Sequence, residues 1–399
     1  MDQIVRMAVP ERVIIPMEQH RGVVCEPLVK VGDKVSMGRK IGESKERAAT
    51  VHASISGEVE DVVMHPHPYG REVKSVIIRG DGNSVGETEC RPQEKLAPSA
   101  LRALIRESGV IEYYGLGPPA RIEKADTVIL SGNDFHPHIS VDKARMIRES
   151  EKVIKGLSVL MRAVEAERGF ICINAGDKDT TRVMKHALRD RPDIFLVSVK
   201  LVYARGMGLL LQHAVRRKSG ISLGKVLIST VPKAKSSHDA VFAGRPRIEN
   251  LVSVTGVNRP MNLAVRIGVL FKDVIDYCGG YTGDPRRIIM NSPMTGLAQY
   301  TDEVPVIKGT YGIMVQYDIG RESHIRCIRC AKCVDVCPVN LVPNMIALYA
   351  ENNRFSECRT FNVASCVECG YCAFECPSRI PILQLIRYAK GNLENGGGQ

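Results

Sequence analysis

Short apolar segments separated by glycines fill the N-terminal part of the chain. Apolar and polar positions alternate in the stretches 28–35, 38–42 and 51–59, and valine, isoleucine and glycine are frequent throughout. Alternation with a period of two is typical of strands with one buried face, and glycine marks the tight turns between such strands. We therefore predict a small, flattened β-sandwich from Val13 to Gly82.

The middle of the chain, from about Ala97 to Lys235, alternates compact apolar runs with longer amphipathic stretches. Strands are predicted at 127–130, 170–174, 194–199 and 226–231. Helices are predicted at 141–168, 181–188 and 207–215. Strands that alternate with helices form a parallel sheet with helices on both faces. This part of the chain is therefore predicted to be a doubly wound, Rossmann-like α/β domain.

A smaller α+β segment is predicted from Pro246 to Ile313. The apolar run 251–256 predicts a strand. A short helix near 270–277 is expected to end at Gly279-Gly280, because glycine is favoured just after a helix C-terminus. Two His-Pro-His stretches, His65 to His67 and His136 to His138, are predicted to be solvent-facing loops rather than metal sites.

Eight of the 13 cysteines lie in two runs that share one spacing, Cys-x2-Cys-x2-Cys-x3-Cys-Pro. Bacterial two-cluster ferredoxins contain this run, and the fourth cysteine of each run ligates the cluster of the other run. Three thiolates at i, i+3 and i+6 allow one loop to bind three corners of a cluster, while the fourth ligand comes from elsewhere. The predicted ligands of the first 4Fe-4S cluster are Cys327, Cys330, Cys333 and Cys376. The predicted ligands of the second are Cys366, Cys369, Cys372 and Cys337.

A pair of zinc sites is the alternative for these thiolates, because structural zinc sites also use Cys-x2-Cys spacing. Zinc ribbons draw two cysteine pairs into each site, whereas each run here supplies three ligands and a distant fourth, so iron–sulfur clusters are favoured. Between the runs, the stretch from Leu341 to Ala364 predicts two helices with a polar break at Glu351-Asn352-Asn353. The remaining cysteines are predicted to be ordinary core or surface thiols: Cys25, Cys90, Cys172, Cys278 and Cys358.

Composition and charge narrow the functional classes. The 399 residues suffice for roughly two to four domains, and 44% hydrophobic with 25% charged residues excludes a disordered chain. No apolar run approaches the ~20 residues that span a bilayer, and the N-terminus lacks a signal region, so we expect a cytoplasmic chain with reduced thiols. The formal charge of +11 falls to about +7 with two oxidised clusters bound. Acidic electron carriers and an anionic membrane surface suit that charge, and no nucleic-acid-binding motif is visible.

The order of these parts resembles a known family. Its most specific segments are Val31 to Val35, Val51 to Gly57, Val306 to Thr310 and the cysteine-rich stretch from Cys327 to Ala389. They resemble the RnfC family, which supplies one subunit of the Rnf ion-translocating electron-transport complex. More distantly, they resemble the NADH-binding flavoprotein subunit of respiratory complex I and the cobalamin reductases of microcompartments.

The resemblance implies a multidomain α/β and α+β chain. Its parts would be a barrel-sandwich (lipoyl-like) domain, a Rossmann-like α/β domain, a small β-grasp (SLBB-like) domain and a helical twin 4Fe-4S ferredoxin domain. We place these domains at residues 1–92, 93–240, 241–318 and 319–390, with a tail at 391–399.

Members of the family usually admit NADH through an FMN in the α/β domain, and this sequence departs from them there. The family's loop Gly-x-Gly-Gly-Ala-Gly-Phe-Pro stands here as Gly115-Leu116-Gly117-Pro118-Pro119-Ala120-Arg121. Two prolines remove N–H donors that a phosphate requires. The motif Asn-Gly-Ala-Glu-Cys-Glu-Pro stands as Ser131-Gly132-Asn133-Asp134-Phe135-His136-Pro137, so its second glutamate is His136.

A third family motif, Tyr-Pro-Gln-Gly-x-Glu, stands as Tyr203-Ala204-Arg205-Gly206-Met207-Gly208. Because polar groups are missing from three separate segments, we expect the α/β domain to keep its fold and to have lost FMN and NADH. The degenerate cofactor region is then marked by Gly115, Gly117, Asp134 and His136. The alternative is a divergent loop that still binds flavin, with Arg121 or Lys124 supplying charge to its phosphate.

The resemblance implies a peripheral electron-transfer subunit on the cytoplasmic face of the cell membrane, within an ion-translocating oxidoreductase. Electrons would pass from reduced ferredoxin through two 4Fe-4S clusters to a membrane carrier, and other subunits of an Rnf-type complex would couple this flow to Na+ or H+ movement. The alternative is an NADH-oxidising, FMN-containing subunit of an NADH:ferredoxin oxidoreductase. The expected partners are those subunits, ferredoxin and the membrane surface, without nucleic acid, and no catalytic residue is predicted.

Overall fold

The computed structural model describes residues 3–20, 23–44, 49–82, 93, 95–110, 124–132, 134, 138–199, 208–318 and 325–395. These residues form four units, and the first and third share one hydrophobic core. Ile15, Met17 and Ile78 from the first unit pack with Val252 and Phe271 from the third, and all five side chains are fully buried. Removal of this apolar surface from water holds the two units together.

The first unit is a barrel sandwich of short strands, which confirms the predicted β-sandwich. Its strands are β2 (Arg12–Pro16), β3 (Glu18–His20), β4 (Val23–Val24), β5 (Glu26–Pro27), β6 (Lys34–Val35), β7 (Lys40–Ser44), β8 (Ala49–His52), β9 (Gly57–His67) and β10 (Arg71–Gly80). They form the sheets β2-β10-β9-β6, β5-β7-β8 and β3-β4.

The predicted solvent-facing loop at His65 to His67 is wrong. These residues end β9 and pair with β10 across an antiparallel hairpin. His67 is fully buried, and its Nε2 lies 3.0 Å from the carbonyl oxygen of Glu18. Proline is tolerated there because Pro66 lies near the end of the strand. His136 lies outside the described residues.

The second unit is a parallel four-stranded sheet between helices, as predicted. Its elements are α1 (Pro98–Glu107), β11 (Thr127–Ser131), α2 (Val141–Arg148), α3 (Ser150–Ala163), β12 (Arg168–Asn174), α4 (Lys178–Ala187), β13 (Ile194–Val199), α5 (Gly208–Ser219), β14 (Val226–Thr230) and α6 (Val231–Ala243). The strand order is β13-β12-β11-β14. The order reverses between β11 and β14, and α/β sheets bind ligands at the carboxyl ends of strands beside such a reversal.

The single helix predicted over 141–168 is wrong. Glu149, with φ −128° and ψ 33°, ends α2 and begins α3. The second helix stops at Ala163, Glu165 takes a left-handed φ of 59°, and Arg168 starts β12. The apolar spacing continued across the bend because both helices bury a face against the same core.

The third unit is a six-stranded mixed sheet with one helix. Its elements are β1 (Ile4–Arg6), β15 (Glu249–Thr255), β16 (Met261–Arg266), α7 (Phe271–Tyr277), β17 (Arg287–Met290), β18 (Leu297–Gln299) and β19 (Gly312–Gln316). The order is β1-β16-β15-β19-β17-β18, and β1 pairs in parallel with β16. Residues 4–6 thus join the sheet of the third unit, although they lie near the start of the sequence.

Helix α7 ends as the sequence predicted. Cys278 closes the helix, and Gly279 and Gly280 follow with φ of 86° and 78°. Glycine takes these left-handed values without the steric penalty that a Cβ would bring. The chain can therefore turn back immediately after the helix.

Lys308 lies where the first three units meet, and its side chain is buried. Its Nζ donates to the carbonyl oxygens of Thr50 and Gly109, each at 2.9 Å. Its backbone N–H donates to Oε1 of Gln19 at 3.0 Å. Burial lowers the pKa of Lys308 from 10.5 to about 7, and the charge of Arg247 acts in the same direction.

The fourth unit is helical, and the two helices predicted between the cysteine runs are confirmed. Its elements are α8 (Lys332–Asp335), α9 (Pro343–Glu351), α10 (Phe355–Thr360), a 3-10 turn (Val363–Ser365), α11 (Tyr371–Phe374) and α12 (Ile382–Asn395). Ile346, Ile382 and Ile386 fill its core. Within the described part of the chain, no helix is both long enough and apolar enough to cross a membrane.

Candidate iron–sulfur centres

The two cysteine runs form two copies of one local structure in the helical unit. At a constant offset, Cys327 corresponds to Cys366, α8 corresponds to α11, and the start of α9 corresponds to the start of α12. In each copy the first two cysteines lie in irregular chain, and the third lies on a one-turn helix. The repeated spacing therefore produces a repeated backbone path.

Left-handed residues occur at the same places in both copies. The matched pairs, with φ between 54° and 77°, are Arg329 and Glu368, Ala331 and Gly370, and Asn340 and Arg379. A left-handed residue beside right-handed ones turns successive N–H groups toward one concave side, an arrangement that binds anions and iron–sulfur clusters. Such φ values cost a residue other than glycine roughly 1–3 kcal/mol, and they concentrate at functional sites. Their repetition beside the cysteines therefore marks a built site.

Backbone N–H groups donate to cysteine sulfurs in both runs. The N–H of Leu341 donates to Sγ of Cys337 at 3.2 Å, and the N–H of Glu368 donates to Sγ of Cys366 at 3.4 Å. A hydrogen bond to sulfur favours the thiolate, the form that binds iron. These donors also stabilise negative charge on a bound cluster, which is one way in which proteins set cluster potentials.

Four predicted ligands line one cavity. The cavity is lined by the apolar residues Leu341, Leu383 and Ile386 and by the cysteines Cys337, Cys366, Cys369 and Cys372. Three of the cysteines come from the second run and one comes from the first, which is the crossed set predicted for the second cluster. The structure therefore brings this whole set to one place.

Electrostatic contacts show the same grouping within this second set. Burial raises the pKa of Cys372 to about 12, and the nearby thiolates of Cys366 and Cys369 raise it in the same direction. Burial raises the pKa of Cys369, and the thiolate of Cys337 adds to that effect. Because burial and mutual repulsion favour the protonated thiols of Cys366, Cys369 and Cys372, these three can all be thiolates only beside a positively charged group.

Three ligands predicted for the first cluster also lie together. Burial raises the pKa of Cys333, the N–H of Asn344 lowers it, and the thiolates of Cys376 and Cys327 raise it. Cys333 and Cys376 are buried, whereas Cys327 and Cys330 are exposed. This set therefore opens to solvent on the side of its first two cysteines.

The donor set fits 4Fe-4S clusters. Thiolate is the soft ligand that these clusters require, and each crossed set offers four of them. Among the described residues, no three His, Cys, Asp or Glu side chains come close enough to bind one metal ion. The cysteines predicted to be ordinary thiols are buried in the cores, as expected for Cys25, Cys172, Cys278 and Cys358, whereas Cys90 lies outside the described residues.

A buried ion cluster lies beside the second set. Glu368, between Cys366 and Cys369, receives hydrogen bonds from Arg387 Nε at 2.8 Å and from Lys390 Nζ at 3.0 Å. The Glu368 side chain is 8% exposed, and Lys390 Nζ also donates to the carbonyl oxygen of Cys366 at 2.7 Å. Two cations and one carboxylate leave a net positive charge close to these thiolates.

The second set faces the third unit. Arg387 Nη2 donates to the carbonyl oxygen of Thr295 at 2.8 Å. A Cβ on Gly370 would lie 2.5 Å from the carbonyl oxygen of Met294, so only glycine fits this approach. The loop between β17 and β18 therefore covers the second set, while the first set opens to solvent.

The degenerate cofactor region lies only partly within the described residues. Gly115, Gly117 and His136 are outside them. Asp134 follows β11 at the reversal point of the sheet, and its carboxylate accepts the N–H groups of Asp142 at 3.0 Å and Lys143 at 2.7 Å. It therefore occupies donors at the start of α2 that could otherwise bind a phosphate.

Burial raises the pKa of Asp134 to about 7. Burial and the charge of Asp134 also raise the pKa of Asp142. Two neighbouring carboxyl groups that repel one another are each harder to ionise than a free carboxyl group. An added phosphate dianion would be repelled whenever either group was ionised.

Comparisons with known proteins identify the family. The model of the RnfC barrel sandwich hybrid domain matches residues 1–83, that of the Nuo51 FMN-binding domain matches 105–233, and that of the SLBB domain matches 251–298. A curated relative from Methanosarcina acetivorans, the C subunit of an ion-translocating oxidoreductase complex, is 36% identical over 97% of this chain and 93% of its own length. The chain belongs to the RnfC family.

Two further RnfC proteins extend the comparison. One is the C subunit of the Na+-translocating ferredoxin:NAD+ oxidoreductase complex of Acetobacterium woodii, 33% identical over 96% of this chain and 90% of its own length. The other is the C subunit of the proton-translocating ferredoxin:NAD+ oxidoreductase complex of Clostridium ljungdahlii, 30% identical over 98% of this chain and 90% of its own length. The RnfC resemblance stated from the sequence is therefore confirmed, including its barrel-sandwich, α/β and SLBB domains.

Sequence reasoning missed the charged residues around the second set. Glu368, Arg387 and Lys390 resemble ordinary surface charges, because a sequence does not show which charges a neighbouring unit will cover. One signal was present: Glu368 stands between two predicted ligands, where a side chain is held close to the metal. Lys308 was noted only as part of a family motif, and its burial follows from the meeting of three units.

Proposed function

We propose that this chain is a peripheral electron-transfer subunit of an Rnf-type complex and relays single electrons through two 4Fe-4S clusters. The observation that carries the proposal is the cavity at which Cys337 of the first run stands with Cys366, Cys369 and Cys372 of the second. Cys333 and Cys376 also interact electrostatically across the two runs. A bound 4Fe-4S cluster supplies reversible one-electron chemistry. Cys327, Cys330, Cys333 and Cys376 would hold one cluster, and Cys337, Cys366, Cys369 and Cys372 the other.

The chain's own groups would set how readily each site accepts an electron. The N–H groups of Leu341 and Glu368 point at ligating sulfurs, and they stabilise the extra negative charge of the reduced state. Arg387 and Lys390 act in the same direction near the second set. The apolar residues Leu383 and Ile386 exclude water there.

Single cysteine variants test the ligand sets. We expect Cys330→Ser to remove the EPR signal of one cluster and Cys369→Ser that of the other, each lowering the iron content from about eight to about four atoms per chain. Cys358→Ser is the matched control, because Cys358 is buried in the same unit and its Sγ faces the carbonyl oxygen of Ile346. Two intact clusters in Cys330→Ser, or zinc in place of iron and sulfide in the wild type, would refute the assignment.

We also propose that the α/β domain has lost FMN and NADH. The support is the pair of prolines in the sequence Gly115 to Arg121 and the carboxylate of Asp134 at the start of α2. The second candidate, an NADH-oxidising flavoprotein subunit, is favoured by the match of residues 105–233 to an FMN-binding domain. Anaerobic purification with flavin extraction and an assay of NADH-driven viologen reduction separates the two, and stoichiometric FMN with turnover would establish the second.

The proposed setting is the cytoplasmic face of the cell membrane, beside the other Rnf subunits. Electrons would come from reduced ferredoxin and leave for a membrane carrier, and the partner subunits would couple that flow to Na+ or H+ movement. The names of two relatives include ferredoxin as a reactant, one with Na+ and one with protons. The basic charge of +11 suits an acidic carrier and an anionic leaflet. Membrane fractions washed at high salt should release the chain, whereas an integral subunit would remain.

A further inference from the structure

One surface of the helical unit exposes predicted ligands together with apolar and basic side chains. All eight residues from 325 to 332 are exposed, including Cys327 and Cys330. We call residues 325–332 together with Phe374 the redox face. It covers the open side of the first cysteine set.

Three large apolar side chains of the redox face are exposed. Ile325, Ile328 and Phe374 are 57%, 60% and 63% exposed. The segment that carries Phe374 is held against the start of the run, because the N–H of Ile325 donates to the carbonyl oxygen of Ser378 at 3.0 Å. Ser378 Oγ donates to the carbonyl oxygen of Arg326 at 3.2 Å. Exposed apolar side chains that cluster around a reactive centre are typical of an interaction site.

Three cations lie in the same stretch of the chain as Ile325 and Ile328. Arg326, Arg329 and Lys332 are exposed, and none of the three is ion-paired with another described residue. Asp335 is the next carboxylate along the segment. Glu375 adjoins Phe374, so three cations stand against two flanking carboxylates and the net charge of the face is positive at the edge of the first set.

The corresponding surface of the second run has a different composition. The positions equivalent to Arg326, Arg329 and Lys332 are Ser365, the buried Glu368 and Tyr371. That run is covered by the loop that contains Met294. The same backbone path thus carries a basic, exposed surface in one copy and an internal contact in the other.

We infer that the redox face is the docking site for an acidic one-electron carrier protein of the ferredoxin type. The inference rests on the proposed function and deepens it by naming the point of exchange. Complementary charge steers encounter, and the exposed apolar side chains exclude water once the two surfaces meet. Cys327, Cys330, Cys333 and Cys376 would hold the cluster that accepts one electron from the reduced carrier, so the carrier would be oxidised and this chain reduced, with no bond made or broken.

Charge reversal of the redox face tests the inference. The variant carries Arg326→Glu, Arg329→Glu and Lys332→Glu, and the matched control carries Arg216→Glu, Arg217→Glu and Lys218→Glu. The control residues form an equally basic last turn of α5 in the α/β unit. The probe is a purified, dithionite-reduced acidic two-cluster ferredoxin, mixed with the oxidised full chain in a stopped-flow spectrometer over a range of salt concentrations.

We expect the wild-type electron-transfer rate to fall steeply as salt rises. At low salt the redox-face variant should be at least about tenfold slower and nearly independent of salt, whereas the control should change less than about twofold. An additional variant, Ile328→Ser, keeps the charge, and it should weaken ferredoxin binding while leaving the salt dependence unchanged. Equal rates in the two triple variants, with both clusters present, would overturn the inference.

Two further measurements separate this inference from its alternatives. Iron, sulfide and EPR are measured on every variant, so an absence of clusters from the wild type refutes the proposed function rather than the docking site. Sedimentation with anionic phospholipid vesicles tests the membrane as occupant. If the redox-face variant loses vesicle binding while its ferredoxin rate matches that of the control, the face is a membrane contact and the inference is wrong.

Discussion

Replacement of Lys308 by methionine should change how stability depends on pH. One pKa unit corresponds to about 1.36 kcal/mol, so a lowering from 10.5 to about 7 means that folding disfavours the charged amine by about 5 kcal/mol. Below pH 7 the lysine is protonated in the folded and unfolded chain, and the full penalty applies. As pH rises from 7 to 10.5, the unfolded chain holds more protons than the folded chain, and stability increases.

Between pH 7 and pH 9 this linkage is worth about 2 kcal/mol. In the folded chain the nearby histidines titrate below this pH range. Burial lowers the pKa of His20 and brings that of His52 to about 3. Burial raises the pKa of the neighbouring Cys25 thiol to about 11.

The assay compares the urea-unfolding free energies of wild type and Lys308→Met at pH 7, 8 and 9. The advantage of the wild type should grow by about 2 kcal/mol over this range. Subtraction removes the contributions of shared groups whose pKa does not depend on the charge of Lys308, which leaves His20, His52 and Cys25 as the neighbours that do depend on it. Lys34→Met, on an exposed strand of the first unit, is the control and should keep the wild-type pH dependence. A constant difference between wild type and Lys308→Met would refute the reasoning.

Two further substitutions test packing and charge. Glu368→Gln leaves Arg387 and Lys390 without their carboxylate and should lower the unfolding free energy by about 3 kcal/mol; a loss below about 1 kcal/mol by urea titration would contradict this. Gly156→Ala places a methyl group against the carbonyl oxygen of Ala234 where α3 meets α6 and should cost about 1–3 kcal/mol. The control is Gly391→Ala, because Gly391 faces open space on α12. This control should leave the melting temperature unchanged or raise it. Equal melting temperatures for the two glycine variants would contradict the packing argument.

The hydrophobic pattern along the sequence was sufficient to predict many of the strands and helices and the fold class of the units that they form. The strands at 170–174 and 194–199 were predicted close to their observed bounds, because both are apolar runs in a parallel sheet that helices cover. The bend at Glu149 was missed, since both helices present apolar residues to one core and the spacing does not register a change of direction. Strand β1 was missed because its partner, β16, is far away in sequence.

The candidate site divides in the same way. The two ligand sets were predicted from the cysteine spacing together with the known pattern of two-cluster ferredoxins, in which the fourth cysteine of each run crosses to the other cluster, and they stay a prediction. The surroundings of each set could not be predicted, since they depend on how the helical unit packs against the third unit. Glu368 looks like any surface carboxylate until Arg387 is seen to reach both it and Thr295.

The two cysteine runs show how one repeated motif can acquire two roles. Their turns are matched residue by residue, so the motif itself gives both sets similar N–H donors. What differs is the side chains at matched positions, among them the exposed Arg329 and the equivalent Glu368, which is buried with two cations. If both sets hold clusters as proposed, the first would exchange electrons with a partner in solution, and the second would be insulated beside the third unit. An electron that enters at the redox face would then pass from the first set to the second, because the first set is the one with an open side.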